Sequence, residues 1–184
     1  MPIQKTTVEA IIKTSAQVFR QQGYYRTSMA DLANATGLTK GVFYHHFKNK
    51  EEIMQKVLEM SGQYFEHKIF SIAYESQIEP QTRLNRMFKE AFVAFTHESG
   101  GCLFANTVLE TAHLESTFLP FLKAFFKQWE KALCFIFSSK HDKKTCTKIA
   151  RQIIADVEGS LLLMQLYKDP DFLKQALKRA KGLL

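Results

Sequence analysis

TSMADLANATGLTKGVFYHHFKNK, residues 27–50, reads as two short helices around a tight glycine turn. The first opens at Thr27 or Ser28. Asp31 stands three residues after Ser28, the spacing of a capping box in which each residue satisfies an orphan backbone N–H of the other. Met29, Leu32 and Ala33 supply its inward positions. Gly37 ends it, Leu38 plugs the turn, and Thr39 caps a second helix running from about Lys40 to Phe47. Lysine, tyrosine and histidine crowd that second helix. Such a layout is that of a helix-turn-helix, whose second helix lies in the major groove of DNA.

Upstream, Thr6 with Glu9 forms another capping box. Val8, Ile11, Ile12, Ala16 and Phe19 follow at helical spacing, and Gly23 stops the helix. Downstream, Asn49 with Glu52 starts a fourth helix carrying Ile53, Val57, Leu58 and Met60. It is expected to run past Phe70, long enough to bridge two domains. Pro80 starts the next segment, with Leu84, Met87, Phe88, Phe92 and Phe95 as its stripe and Gly100-Gly101 as its end. A short apolar helix spans 102–112, and another begins around Pro120 and reaches about Phe137. Residues 138–144 read as a charged loop. Ile149, Ile153, Ile154, Val157, Leu161, Met164 and Leu166 mark a long helix that is apolar nearly all round. Asp169-Pro170, a cap followed by proline in the first turn, opens the last helix.

Composition bounds the reading. With 46% hydrophobic and 12% aromatic residues among 184, the chain can bury a core, so global disorder is excluded. No apolar run reaches about 18 residues, so no membrane span is expected. The start MPIQKTTVEA lacks the apolar segment of a signal peptide, which makes a cytoplasmic protein the expectation. The net charge is +7, and residues 1–56 carry eight basic side chains against four acidic ones. Positive charge is therefore concentrated at the front, where a phosphate-binding domain needs it. Cys102, Cys134 and Cys146 form no C-x-x-C pair, and His45 and His46 are adjacent rather than a turn apart. Neither a metal site nor a cofactor is expected. Cys102 reads as a small buried residue, with a redox-sensing thiol as the alternative. No nucleophile with a matched base, phosphate loop or paired carboxylates points to an enzyme. A helical protein-interaction module with incidental basic charge remains a further alternative.

IIKTSAQVFRQQGYYRTSMADLANATGLTKGVFYHHFKNKEEIMQKVL, residues 11–58, resembles the TetR family of bacterial transcriptional regulators. The glycine after the first helix, the aromatic-x-x-Thr joint, the Ala-x-x-Gly turn, the Lys-Gly-x-x-Tyr-x-His-Phe recognition helix and the Lys-Glu-Glu start of the next helix all fall in register. Gly101-Cys102-Leu103 with Asn106 and Glu110, then a phenylalanine-rich helix ending Gln128-Trp129-Glu130, is similar to a stretch in one subgroup of these repressors. The resemblance implies an all-α fold of about nine helices. Residues 1–55 would form a three-helix helix-turn-helix DNA-binding domain, and 56–184 a helical ligand-binding and dimerisation domain. It also implies regulation of transcription, repression being the commoner mode.

Several residues then acquire candidate roles. Lys40, at the start of the reading helix, can donate to guanine O6 or N7. Gly41 lets the backbone approach DNA, or is merely tolerated near a helix start. The resemblance implies that Tyr44 donates its hydroxyl to a phosphate and that His45 faces DNA; a half-buried Tyr44 is the alternative. Thr27, Ser28 and Thr39 cap helices and are candidates to bind phosphate at helix N-termini. Lys48 and Lys50 belong to the backbone-contacting edge, giving salt-dependent affinity. Phe43 and Phe47 anchor the helix, and His46 packs or sits on the surface.

One such helix reads only a few base pairs, so a palindromic double-stranded operator bound by a homodimer is expected. Ile153, Val157, Ser160, Leu161, Met164 and Phe172 are the candidate dimer interface, unless the long helix is the core of one subunit. A small apolar or aromatic effector is expected in the second domain. Asn106, Glu110, His113, Gln128 and Trp129 are its candidate polar contacts, each with a structural role as the alternative.

Overall fold

Hydrophobic side chains recurring at helical spacing, with caps between them, build an all-α structure. The computed structural model describes residues 7–97, 99–113 and 117–184. Among the described residues there are nine α-helices and no strand. They are α1 (Val8–Gln22), α2 (Met29–Ala35), α3 (Lys40–His46), α4 (Lys50–Lys68), α5 (Pro80–Thr96), α6 (Leu103–Thr111), α7 (Leu119–Phe137), α8 (Lys143–Tyr167) and α9 (Asp171–Lys181). No helix among the described residues is long and apolar enough to cross a membrane.

The chain packs as two compact units: Met1–Ser61 with Leu103–Leu122, and Gly62–Cys102 with Lys123–Leu184. The expected break, near residue 55 inside the fourth helix, lies a few residues before this one. The boundary falls inside α4, and α6 joins the N-terminal unit because it packs on α1. In that first unit Ile11, Phe19, Leu32, Phe43, Phe47 and Ile53 are buried. In the second, α8 lies along α9, and α5 packs on α9 and on a 3-10 turn at Phe70–Tyr74. Phe65, Phe70, Phe95, Phe125 and Trp129 form a continuous aromatic cluster there, with ring centroids 5.2–6.3 Å apart.

Several sequence expectations need correction. The expected cap Thr6 lies outside the described residues; α1 is capped by Thr7, whose hydroxyl accepts from the Ala10 N–H at 3.2 Å. Helix α4 stops at Lys68 instead of passing Phe70. In the 3-10 turn that follows, side chains three apart eclipse. Ile69 with Ile72 and Phe70 with Ala73 thus make two adjacent rows, and all four are buried. Helix α8 starts at Lys143, inside the expected charged loop, because Asp142 accepts from the N–H groups of Lys144 and Thr145 at 2.8 and 3.0 Å. Those bonds hold the Asp142 carboxyl below its ordinary pKa.

Helix α8 is also not apolar all round. Ile153, Val157, Ser160 and Leu161 are buried within their own subunit's unit. They pack as core, the alternative reading of this helix, while Ser160 also borders a surface groove with Ala155 and Gly159. Met164 and Phe172 are half-buried. The face that α8 turns to solvent carries Ala155, Gly159, Leu162 and Leu166.

Candidate nucleic-acid interface

The reading helix is framed by its caps. The Ser28 hydroxyl accepts from the Asp31 N–H at 3.2 Å, while Asp31 Oδ2 accepts from the Ser28 N–H at 2.8 Å, closing the expected capping box. Asp31 is held below its ordinary pKa by its bonds to Ser28. Thr39 Oγ1 accepts from the Val42 N–H at 3.4 Å and starts α3. Asn49 Oδ1 accepts from the Glu52 N–H, and Glu52 Oε2 from the Lys48 N–H, both at 2.8 Å. The loop between α3 and α4 is thereby fixed at both ends.

Phe43 and Phe47 are buried and seat α3 on the rest of the unit, their ring centroids 5.9 Å apart. His46 is half-buried against Phe47, a packing role. At 100° per residue, Lys40, Gly41, Tyr44 and His45 then fall on one arc of about 140°. All four are exposed, as are Thr39 and Lys48. Val42 is exposed as well, at 46%. The sequence reading missed it, although its place about 100° round the helix from Phe43 and about 140° from Phe47, beside His45, would have found it.

Gly41 is the second residue of α3 and is open: a Cβ built there would meet nothing within 4 Å. Glycine forms a helix less readily than alanine, by at most about 1 kcal/mol. Nothing inside the subunit requires one at this position.

Two expected phosphate contacts face inward instead. Thr27 is 1% exposed, and its hydroxyl donates to the Gly23 carbonyl at 2.6 Å, so it holds the joint between α1 and α2 and neither caps α2 nor reaches solvent. Lys50 Nζ donates to the Tyr24 carbonyl at 2.7 Å and lies 4.3 Å from the Tyr24 ring centroid. Burial pulls the Lys50 pKa below the ordinary lysine value, with the Glu110 carboxylate pulling the other way.

The effector candidates are divided between the two units. Asn106, Glu110 and His113 belong to the first unit, Gln128 and Trp129 to the second. Glu110 fastens the loop after α1. Its Oε2 accepts from the Tyr25 N–H at 3.0 Å, and Gly23, at φ +83°, is packed so closely on it that a Cβ would lie 2.5 Å from Oε1. His113 is exposed. Gln128 donates to Glu66 at 3.1 Å, and Trp129 sits in the aromatic cluster. The apolar cavity beside Trp129, lined by Phe65, Phe70, Phe88, Phe95 and Val157, offers about 10 Å³ to water centres. That is room for about one water, so a larger molecule requires the cluster to repack.

Comparison with known proteins fits this geometry. Residues 5–57 match the model of the bacterial regulatory proteins of the tetR family. Residues 80–179 match that of the LmrA/YxaF-like transcriptional regulator C-terminal domain. The chain belongs to the TetR family of transcriptional regulators and is a DNA-binding regulator of transcription. Among curated relatives, it is 27% identical to the HTH-type transcriptional repressor DhaR of Mycobacterium sp. (strain GP1), over 91% of this chain and 86% of DhaR. It is 26% identical to the uncharacterized HTH-type transcriptional regulator YxaF of Bacillus subtilis (strain 168), over 88% and 86% of the two chains. A TetR transcriptional regulator from Legionella pneumophila shares the fold, with a TM-score of 0.88, 20% identity and coverage of 99% and 100%.

Proposed function

We propose that this protein is a repressor that binds a palindromic operator as a homodimer and leaves it when a small apolar or aromatic effector occupies the second unit. The observation that carries the DNA-reading part is the exposed arc of α3, where cationic and hydroxyl side chains surround a glycine that nothing inside the subunit requires. Lys40 reads a guanine, Val42 touches a thymine methyl, and Tyr44 and Lys48 bind phosphates. His45 faces the groove. Ser28 and Thr39, exposed at helix starts, bring further phosphate contacts.

DhaR is named a repressor, and that role is carried over here as a proposal. Two copies are needed because one short helix specifies only a few base pairs. The effector acts by binding the non-DNA conformation more tightly. The aromatic cluster around Trp129 suits an apolar or aromatic ligand. This reading makes the protein a binding switch in the cytoplasm and not an enzyme.

Fluorescence anisotropy with labelled duplexes from the region upstream of the protein's own gene tests the reading. The wild type should prefer one near-palindromic duplex over a scrambled one. Lys40→Ala should lose about 1–3 kcal/mol on that duplex while keeping its non-specific binding. Equal affinity for both duplexes in the wild type would remove the basis for the proposal.

A further inference from the structure

Phe43 and Phe47 are buried and fix which way α3 faces. At about 100° per residue, the direction midway between those two anchors lies about 180° from His45. His45 is thus the side chain of α3 that points most directly away from the subunit. Val42 stands about 60° from it on one side and Tyr44 about 100° on the other. His45 is exposed, and its ring meets that of His46 at 5.8 Å in a T-shaped contact. His46 in turn packs on Phe47, at 6.4 Å. A helix lying in the major groove sets its most outward side chain towards the groove floor.

The charges around His45 do not pair with it. On α3 itself the ionisable neighbours are Lys40, Tyr44 and His46, and Lys48 follows in the turn. Helix α2 packs on α3, and its one ionisable side chain is Asp31. Asp31 accepts from the Ser28 N–H and hydroxyl at 2.8 and 2.6 Å. The first turn of α4 brings Lys50, Glu51 and Glu52. Lys50 is held on the Tyr24 carbonyl. Glu52 accepts from the Lys48 N–H and Glu51 from the Thr117 hydroxyl, both at 2.8 Å. No ion pair engages His45 among the described residues. The carboxylates of α2 and of the first turn of α4 are committed to other donors, so the negative charge that meets a protonated His45 comes from outside the subunit.

We propose that His45 enters the operator as an imidazolium, each subunit taking up a proton as it binds, so that operator affinity rises as pH falls. Histidine is the side chain whose charge changes between about pH 5 and pH 8. Neutral imidazole has a single N–H donor, whereas both nitrogens of the charged ring donate. The groove floor offers the acceptors N7 and O6 of guanine, and the phosphates surround it with negative charge. Both favour the charged ring, and neither is present in the free protein. The proton comes from solvent and returns to it when the DNA leaves. A group that gains a proton on binding strengthens the complex below its titration range and ceases to do so above it. This role for His45 rests on α3 being the helix that contacts DNA, and adds the protonation state in which it does so.

Fluorescence anisotropy of the full chain with the near-palindromic duplex tests it, at constant ionic strength between about pH 6 and pH 8. Thermal melting confirms that each variant is folded. The wild-type dissociation constant should rise at least about fivefold across that range. His45→Gln keeps a hydrogen-bonding side chain but cannot be charged, and its constant should change less than about twofold. His46→Gln should keep the wild-type pH dependence. Calorimetry of the wild type in two buffers of different ionisation heat should show uptake of up to about one proton per subunit, a readout that needs no variant. A wild type that prefers this duplex with the same constant at every pH and the same heat in both buffers overturns the proton uptake and leaves the DNA-reading proposal standing. A pH dependence that survives His45→Gln overturns the assignment to His45. A wild type with no preference between this duplex and a scrambled one overturns both.

Discussion

Gly41 and Glu158 each lower the stability of the fold. Replacing Gly41 by alanine should raise the melting temperature by about 1–2 °C, since glycine in a first turn costs less than about 1 kcal/mol and nothing in the subunit meets the added methyl. Operator affinity should fall by about tenfold, read by anisotropy. An unchanged affinity would mean that the backbone of α3 does not approach DNA at this point. Glu158, on α8, has one carboxyl oxygen fully sequestered and without a partner. Burial raises its pKa from 4.5 to about 7, and a hydrogen bond with the Cys102 thiol pulls the other way. A carboxyl whose folded pKa is raised destabilises the fold as pH rises. The cost is absent below about pH 4.5 and complete above about pH 7, on the order of 3 kcal/mol. Glu158→Gln should therefore raise stability in denaturant melts at pH 8 but not at pH 4.5. An equal gain at both pH values would show that ionisation of Glu158 is not the source.

The elements divide into those whose boundaries are local and those that are not. Asp31 three residues after Ser28, and Thr39 ahead of the reading helix, are legible in the sequence because a cap is a hydrogen bond between neighbours in the chain. Removing the Ser28 hydroxyl (Ser28→Ala) should cost about 1 kcal/mol, measurable by urea denaturation. The exposed arc of α3 is legible for the same reason, because Phe43 and Phe47 fix which side of the helix points inward. Thr27, Lys50 and Glu110 are not, because their partners are set by packing: the Tyr25 N–H that Glu110 accepts from lies 85 residues away in the chain. Glu110 joins α6 to the loop ahead of the reading head. Glu110→Ala should speed hydrogen exchange at the Tyr25 amide by at least about tenfold, as an opened loop exchanges through local unfolding. Protection equal to the wild type would deny Glu110 that fastening role. Helix α8 reads as apolar all round in the sequence because hydrophobic residues stand at buried and exposed positions alike. Only the tertiary structure separates Val157, which is buried, from Leu162, which is exposed.

At the scale of the whole molecule, the excess of basic charge predicts how binding responds to salt. Phosphate contacts release counterions, so the logarithm of operator affinity should fall linearly with the logarithm of salt concentration. Each phosphate-binding lysine removed, Lys48 for example, should lower that slope by about one in titrations across salt concentrations. A slope unmoved by Lys48→Ala would place that side chain off the backbone. By itself the sequence determined the all-α class, the helix-turn-helix, the caps of α2 and α3 and the exposed arc of α3. Those depend on helical periodicity and on hydrogen bonds between residues three or four apart. The tertiary structure alone decided that α6 packs with the DNA-reading unit, that Thr27, Lys50 and Glu110 work inside it, and which side of α8 is free to meet a partner. Burial depends on what the rest of the chain places against a residue, and that is not written in the residue's neighbours.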